Sequence, residues 1–275
     1  MSSAEPDPYR KHRLTTPTDN YSAAKVSYDK ALAESILDDT FYCHIAYFDP
    51  EDEVVRMVPR QYGRARTRNA LYVHGPAAFE VAPPVDPPVE ARFVHGSRLY
   101  RLVQHGKVED VCVNVALVDA LVPARSAANA VLSYRSVVVY GKARVVEDDP
   151  TGEKCRALET IANHIMPGYA DGSRKANATE LDHVGVIRID FEHVSTKVRN
   201  NGPSPAEGDP EAVWEGVVPV RQVYGPPIRA PHVPAVVPVP DHVTRLTGAR
   251  GANNLVVDPP RHSTRADRPA GAPTF

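Results

Sequence analysis

Apolar residues recur with a period of two along much of the middle of this chain, which is the spacing of a half-buried β-strand. Val111, Val113 and Val115 give a clear example, and residues 184–198 alternate in the same way. The turn composition of residues 49–52 joins the first two of these runs. We therefore predict six strands, the first two of them a hairpin, over residues 41–48, 54–58, 70–74, 108–122, 134–146 and 184–198.

A helical spacing of apolar residues occurs at two places. Ser27 can cap a helix over residues 28–39. In residues 151–166 apolar side chains recur at i, i+3 and i+4, and Pro167 and Gly168 end the pattern. Six strands and few helices within about 200 residues predict a mainly β protein with peripheral helices, built as a closed antiparallel barrel.

Proline marks the ends of this domain. The chain contains 27 prolines in 275 residues, and they concentrate after residue 203. Because proline fixes φ and lacks an amide hydrogen, this region cannot form long regular elements. We predict a flexible N-terminal tail over residues 1–20, a β domain over 21–225, and a proline-rich strap and tail over 226–275. The strap, up to about residue 240, should lie extended on a neighbouring surface.

Composition narrows the class of protein. The formal net charge of −2 argues against a general attraction to nucleic acid or to an anionic membrane. No apolar run reaches the roughly 20 residues of a membrane helix. Cys43, Cys112 and Cys155 lack Cys-x-x-Cys spacing, so we expect no metal site. Scattered thiols and a polar N-terminus without a secretory signal predict a cytoplasmic protein.

One pair of identical tripeptides raises a question about the site. Val-His-Gly occurs at 73–75 and again at 94–96, and the intervening residues 83–88, PPVDPP, cannot be helical. The two copies fit a repeat, an insertion, or a site that uses both His74 and His95. The pattern alone leaves these three interpretations open.

Four strings, in a fixed order, resemble signatures of the pyridoxamine 5′-phosphate oxidase-like, FMN-binding split-barrel proteins. They are LVDALVPARS at 117–126, YRSVVVYGKAR at 134–144, STKVR at 195–199 and VWEGVVP at 213–219. The branch that they resemble most contains nitroimidazole-resistance and flavin-nucleotide-binding proteins. The resemblance covers about residues 25–225. It implies a six-stranded Greek-key split barrel that forms a homodimer and binds FMN in two clefts at the interface.

The resemblance also interprets the doubled tripeptide. In this branch a strand that ends in His-Gly-Ser leads directly into a short helix that carries an arginine. Here His74 ends the strand, whereas His95 and Ser97 begin the helix, so the offset of 21 residues (95 minus 74) is an insertion. The β-like runs that flank the prolines predict a small hairpin arm over residues 76–94.

Ser97 and Arg101 are the first candidates for the cofactor phosphate. Ser97 precedes an apolar-basic segment as an N-cap would, and the free amide groups of a helix start favour an anion. Arg101, one turn later, could bind the same anion in a bidentate manner. The alternative is that Ser97 only caps the helix and that Arg101 is solvated.

The resemblance adds further candidates along the flavin cleft and towards the partner subunit. They are Tyr134, Arg135, Ser136, Lys197 and Trp214. Each also has an ordinary structural role, which is packing for the two aromatic residues and solvation for the cations. Arg60 stands where the branch has a small polar residue, so it would either contact the phosphate or fill the cleft. FMN is accordingly the expected cofactor, with its loss as the alternative.

His74 and His95 are the candidates for catalysis, because an imidazole can transfer a proton near neutral pH and can also ligate haem iron. We expect a flavin-dependent oxidoreductase that acts on a small-molecule substrate. One alternative is a cofactor-free enzyme that uses the vacated cleft for acid–base chemistry, and a second is a flavin- or haem-binding protein without turnover. Neither a P-loop nor a Rossmann fingerprint occurs in the sequence.

Overall fold

We describe the fold from a computed structural model of the chain. The structure describes residues 7–16, 25–77, 79–81, 93–95, 97–147 and 152–249, with side chains for all of these except 79–81, 93–95 and 248–249. The tip of the predicted arm and the end of the predicted C-terminal tail therefore lie outside the described residues.

Ten strands, six α-helices and one short 3-10 helix (Ala127–Asn129) occur in the described part of the chain. The strands are β1 (Val26–Ser27), β2 (Tyr42–Asp49), β3 (Val54–Ala65), β4 (Ala70–Pro76), β5 (Phe79–Val81), β6 (Phe93–His95), β7 (Asp110–Val122), β8 (Val131–Val145), β9 (Val184–Arg199) and β10 (Val218–Pro219). The helices are α1 (Lys30–Asp38), α2 (Arg98–Gln104), α3 (Glu153–Ile165), α4 (Tyr169–Gly172), α5 (Ala178–His183) and α6 (Asp241–Ala249).

Six antiparallel strands close into a barrel. β2 pairs with β3, β3 with β4, β4 with β9, β9 with β8, and β8 with β7, which returns to β2. Alternate side chains of these strands point inwards, as the period of two requires, and Ile45, Val113, Val139 and Ile189 are almost fully buried there. This architecture confirms the predicted mainly β fold of the split-barrel type.

β3 is 12 residues long, whereas the apolar pattern predicted only residues 54–58. The second half of β3 contains polar residues, so the apolar pattern did not reveal it. Residues 62–65 are nevertheless buried by neighbours outside the barrel. The Tyr62 hydroxyl donates to the Leu37 carbonyl at 2.7 Å, and a Cβ on Gly63 would lie 2.6 Å from the backbone of Ile161 in α3. The glycine lets α3 pack directly on β3, an arrangement that periodicity along the chain does not encode.

The inserted segment forms its own small sheet. β5 and β6 pair in antiparallel register, with Phe79 opposite His95 and Val81 opposite Phe93. This two-stranded sheet is separate from the barrel sheet. The chain then enters α2, whose N-cap is Ser97, so the arm joins the end of β4 to the beginning of α2.

Residues 7–16 differ from the predicted flexible tail, because they pack on the barrel. Tyr9 is buried in the main core, and the Pro8 carbonyl accepts a hydrogen bond from a β9 amide at 2.9 Å. The ring of His12 stacks on that of His193, with centroids 3.6 Å apart. The side chains of Tyr9 and His12 therefore anchor this segment to the barrel, although its polar sequence predicted no contacts.

The C-terminal region follows the prediction only in part. Residues 225–240 contain no helix or strand, but they are not extended throughout as predicted, because the amides of Val233 and Val237 close turns on the carbonyls of Ala230 and Pro234, both at 3.0 Å. In addition, α6 forms within the residues predicted as tail. It begins where the Pro240 carbonyl accepts hydrogen bonds from the amides of Val243 and Thr244, both at 3.0 Å. None of the helices in the described part of the chain is long and apolar enough to cross a membrane.

Candidate functional site

An open cleft of about 520 Å³ lies where β3 and β4 meet the junction between α5 and β9. Two residues that the sequence analysis singled out, Arg60 and His74, share this cleft. Tyr42, Gln61, Gly75 and His183 line it as well. The antiparallel pairing of β3 with β4 and of β2 with β3 gathers these side chains, which come from distant parts of the chain.

Arg60 provides the positive charge of the cleft. Its Nη2 donates a hydrogen bond to Ser97 Oγ at 2.9 Å, and its Nη1 donates to the Pro59 carbonyl at 3.2 Å. Among the described residues no carboxylate forms an ion pair with Arg60. The remaining N–H groups of the guanidinium are therefore available to an anion, for which arginine has a well-matched planar fork.

Ser97 fulfils the predicted capping role and also contacts Arg60, which lines the cleft. Its side chain accepts a hydrogen bond from the Tyr100 amide at 3.3 Å, which caps α2. The residue is 9% exposed, and the same oxygen receives the hydrogen bond from Arg60. A short helix thus holds the guanidinium of another element in position.

His74 is the second polar group of the cleft. Because β3 and β4 pair with Tyr62 opposite Val73, Gln61 stands next to His74, and their Nε2 atoms are 2.9 Å apart. This hydrogen bond fixes the orientation of the imidazole ring. Burial, and then the charge of Arg60, lower the pKa of His74 below its ordinary value. The ring is therefore neutral at neutral pH, as a proton acceptor or a metal ligand must be.

A second, apolar cavity of about 210 Å³ is also lined by His74. Leu158, Ile161, Ile165 and Met166, from the apolar face of α3 and the residue after it, form most of its wall. Tyr169 of α4 completes the wall, and His74 is the residue common to both cavities. One imidazole therefore connects a polar cleft that carries a cation with a small apolar chamber.

Arg101 does not reach the cleft. Its guanidinium forms two hydrogen bonds to the Glu51 carboxylate, at 2.9 and 2.5 Å, and Lys107 binds the same carboxylate at 2.6 Å. Hydrogen bonds from these two cations lower the pKa of Glu51 to about 2. The predicted phosphate contact of Arg101 is therefore replaced by an ion pair with the turn between β2 and β3.

Arg135 is also committed to carboxylates of its own chain. It donates to Asp119 at 2.9 and 3.0 Å and also binds Asp39 at the end of α1. The hydrogen bonds to Asp119 and Asp39 raise the pKa of Arg135 despite its partial burial. Its side chain ties α1 to the barrel and lines neither cavity, in contrast to its predicted role at the flavin.

Tyr134, Ser136 and Lys197 lie together on β8 and β9, away from both cavities. Ser136 stands opposite Lys197 in the strand register, and its hydroxyl donates to the Lys197 carbonyl at 3.4 Å. All three side chains are half-buried in the single chain. Trp214 is 66% exposed and its ring lies against Gly216. Within one chain these predicted contacts do not join Arg60 and His74.

His95 ends β6, but its side chain lies outside the described residues. Gln61, Tyr42 and His183 were missed by the sequence analysis. Tyr42 and Gln61 could have been paired from the hairpin turn in the sequence. The turn sets Asp49 opposite Val54, and this register places Tyr42 opposite Gln61. No sequence signal indicated His183, which the end of α5 brings to the cleft.

Metal-ligating side chains do not cluster in the described residues, where no group of three or more could hold a metal ion. A single imidazole against an apolar wall is nevertheless the donor that haem requires, because the porphyrin supplies the other ligands. The imidazole of His74, which borders the apolar residues of α3, meets this requirement, whereas the chamber of about 210 Å³ is smaller than a porphyrin. The cation and hydroxyl of Arg60 and Ser97 fit a phosphate group, which flavin nucleotides carry.

Comparisons with known proteins agree with the predicted resemblance. A family model described as pyridoxamine 5′-phosphate oxidase matches residues 89–198. The flavocytochrome Anf3 from Azotobacter vinelandii is 26% identical with a TM-score of 0.69, covering 88% of this chain and 99% of that chain. The FAD and haem binding protein from Mycobacterium smegmatis is 25% identical with a TM-score of 0.68, covering 82% and 98%. A comparison with curated proteins found no match.

Proposed function

We propose that this relative of the pyridoxamine 5′-phosphate oxidase-like proteins is a flavin-dependent oxidoreductase that acts on a small organic molecule. The observation that carries the proposal is the guanidinium of Arg60, held by Ser97 in an open cleft without an ion-pair partner among the described residues. A buried or half-buried cation without a counter-ion is costly, so an anionic ligand is the natural complement. The phosphate of FMN or FAD supplies that anion.

The residues of the cleft have separate roles in this proposal. Arg60 and Ser97 bind the phosphate, and the ring of Tyr42 offers an aromatic surface to the cofactor or substrate. His74, neutral and hydrogen-bonded to Gln61, accepts a proton from the substrate or returns one to it. The flavin, when bound, supplies hydride transfer, and the protein supplies orientation and electrostatics.

A homodimer is part of the proposal. Ser136 and Lys197 match the strings that the family uses near its flavin, but they lie apart from Arg60 and His74 in the single chain. In a twofold dimer, one subunit's Arg60 would lie across the interface from Lys197 of the partner subunit. A cleft shared in this way would explain why two half-exposed polar clusters occur on one chain.

Haem binding is the second candidate function, and His74 is the observation that favours it. Its imidazole borders an apolar chamber that Arg60 does not line. Two solved proteins that this chain resembles over more than four-fifths of its length are a flavocytochrome and a FAD and haem binding protein. Under this proposal the imidazole of His74 would hold the haem iron, and the haem would supply one-electron chemistry.

The absorption spectrum of the purified protein tests both proposals. We expect flavin bands near their usual positions, with a Soret band in addition if haem is bound. Titrations with FMN and with FAD, run separately on protein stripped of ligands, distinguish the two nucleotides. A colourless protein that binds neither would contradict the flavin proposal and favour the cofactor-free enzyme, whose acid–base group would be His74.

A further inference from the structure

The apolar chamber beside His74 carries no formal charge on its walls. Besides His74, it is lined by Leu158, Ile161, Ala162, Ile165, Met166 and Tyr169. The first four of these recur at i, i+3 and i+4 and so form one face of α3. A carboxylate or ammonium group in the chamber would lose its hydration without gaining an ionic partner from these residues, which is costly. The walls therefore favour a neutral ligand.

The outer wall of the chamber, at Tyr169, is held in place by three contacts. The Tyr169 ring meets the ring of His242 in α6 edge to face, with centroids 5.7 Å apart. The Tyr169 amide donates to the Met166 carbonyl at 3.0 Å, and the next amide, of Ala170, donates to Asn163 Oδ1 at 2.9 Å. Tyr169 itself is 44% exposed. The chamber thus has a wall of defined geometry, with solvent beyond Tyr169.

The volume of the chamber, about 210 Å³, limits the size of a ligand. Apolar protein cavities of about 150 Å³ bind benzene or xenon, so one aromatic ring with a small substituent fits here. The three-ring system of a flavin does not. Two of the lining side chains, His74 and Tyr169, are themselves aromatic, and aromatic rings favour stacked or edge-to-face contacts with another ring. Size and lining together favour a single aromatic ring.

The imidazole of His74 supplies a polar contact for such a ring. Its Nε2 lies 2.9 Å from the side-chain nitrogen of Gln61, which lines the cleft but not the chamber. Its Nδ1 has no hydrogen-bond partner among the described residues, and it is not one of the buried unpaired atoms either. A hydroxyl group both donates and accepts hydrogen bonds, so it matches Nδ1 in either tautomer of the neutral ring.

We propose that the chamber is a binding subsite for a small, neutral aromatic molecule that carries a hydroxyl group, such as a phenol. The ring of this molecule lies against the aliphatic face of α3, and its hydroxyl meets Nδ1 of His74. Because His74 also lines the cleft of Arg60, phenols are the substrate class that we assign to the proposed oxidoreductase. That such a molecule is a substrate rests on the function proposed above, whereas its binding does not.

Titrations of the full-length protein with phenol and with toluene, followed by the NMR signals of its methyl groups, test this subsite. In the wild type we expect both probes to bind in roughly the millimolar range. His74→Leu removes the ring nitrogens at similar volume. It should raise the dissociation constant of phenol about two- to tenfold, which corresponds to one hydrogen bond, and should not raise that of toluene. Ala162→Phe places a ring inside the chamber, so it should raise both constants roughly tenfold or more.

Two matched controls make the same changes outside the chamber. Ala31→Phe changes an exposed residue of α1, and His44→Leu changes an exposed residue of β2, so both should keep the wild-type dissociation constants. Melting curves establish that each variant is folded. If Ala162→Phe does not fold, the comparison of phenol with toluene in His74→Leu still decides the question.

A wild-type protein without saturable phenol binding in the millimolar range would overturn the proposal, as would equal losses of phenol and toluene affinity in His74→Leu. Flavin titrations of the same samples separate this result from the proposed function. Flavin binding without phenol binding would remove the subsite and leave the flavin-dependent function standing. Phenol binding without flavin binding would contradict the proposed function and leave the subsite standing.

Discussion

Arg60 donates a hydrogen bond to Ser97 Oγ across 37 residues of sequence, and this bond joins the start of α2 to β3. Ser97 simultaneously caps α2. The bond therefore fixes the guanidinium relative to the helix start, where an anion would also meet free amide groups. The positive charge of the cleft comes from Arg60, which Ser97 holds in place. It does not come from Arg101, which follows Ser97 by one turn of α2.

Substitution of Arg60 should weaken flavin binding, whereas substitution of Arg101 should not. Loss of a charge-assisted hydrogen bond costs about 1.5–3 kcal/mol, or roughly a tenfold to hundredfold loss of affinity. We expect Arg60→Ala to show this loss in titrations with FMN or FAD. Arg101→Ala should bind flavin as the wild type does, because its guanidinium belongs to Glu51. Equal affinities for wild type and Arg60→Ala would remove the phosphate assignment.

Substitution of His74 should separate haem from flavin. If His74 ligates iron, protein produced with added haem should show a Soret band that disappears in His74→Ala, while its flavin bands persist. His44→Ala, which changes an exposed histidine of β2, serves as the control and should keep both. A Soret band of full intensity in His74→Ala would show that this residue does not hold the haem iron.

Gly63 should tolerate no side chain. A Cβ there would lie 2.6 Å from backbone atoms of α3. This overlap can be relieved only if the helix moves away from the barrel. We expect Gly63→Ala to lower the free energy of unfolding by about 1–3 kcal/mol, as overpacking typically does. Gly225→Ala has no atom within 4 Å of the new Cβ, so its effect should stay within about 0.5 kcal/mol. Urea unfolding of both variants makes the comparison.

Acid should loosen the contact between His12 and His193. Burial, followed by the neighbouring His12, lowers the pKa of His193; Glu192 opposes this and Arg10 adds to it. A histidine whose pKa is lower in the folded state binds fewer protons there than in the unfolded chain. Its contribution to stability is therefore complete above the unfolded value of about 6.5 and is lost as the pH falls below it.

We therefore expect the free energy of unfolding to fall between about pH 7 and pH 5, and to fall less in His193→Gln. Urea unfolding across this range provides the measurement. His232→Gln, on the exposed strap, should retain the wild-type dependence. An unchanged pH profile in His193→Gln would show that the stacked rings do not respond to protonation.

The sequence by itself determined most of the strands, because a period of two along a strand follows directly from the direction of successive side chains. It also determined Ser97 as a cap, since a cap and its helix are neighbours in the chain. Both features depend only on residues that are neighbours in the chain, so the sequence alone predicts them.

Only the tertiary structure decided which arginine faces the cleft. Spacing along α2 favoured Arg101, but the hairpin turn brings Glu51 to it from 50 residues away, and a carboxylate at hydrogen-bond distance determines where that guanidinium lies. Arg60 is directed to the cleft by strand pairing and by Ser97, neither of which is visible in its own neighbourhood. Contacts between distant residues depend on register and crossing of elements, and these arise only when the whole barrel closes.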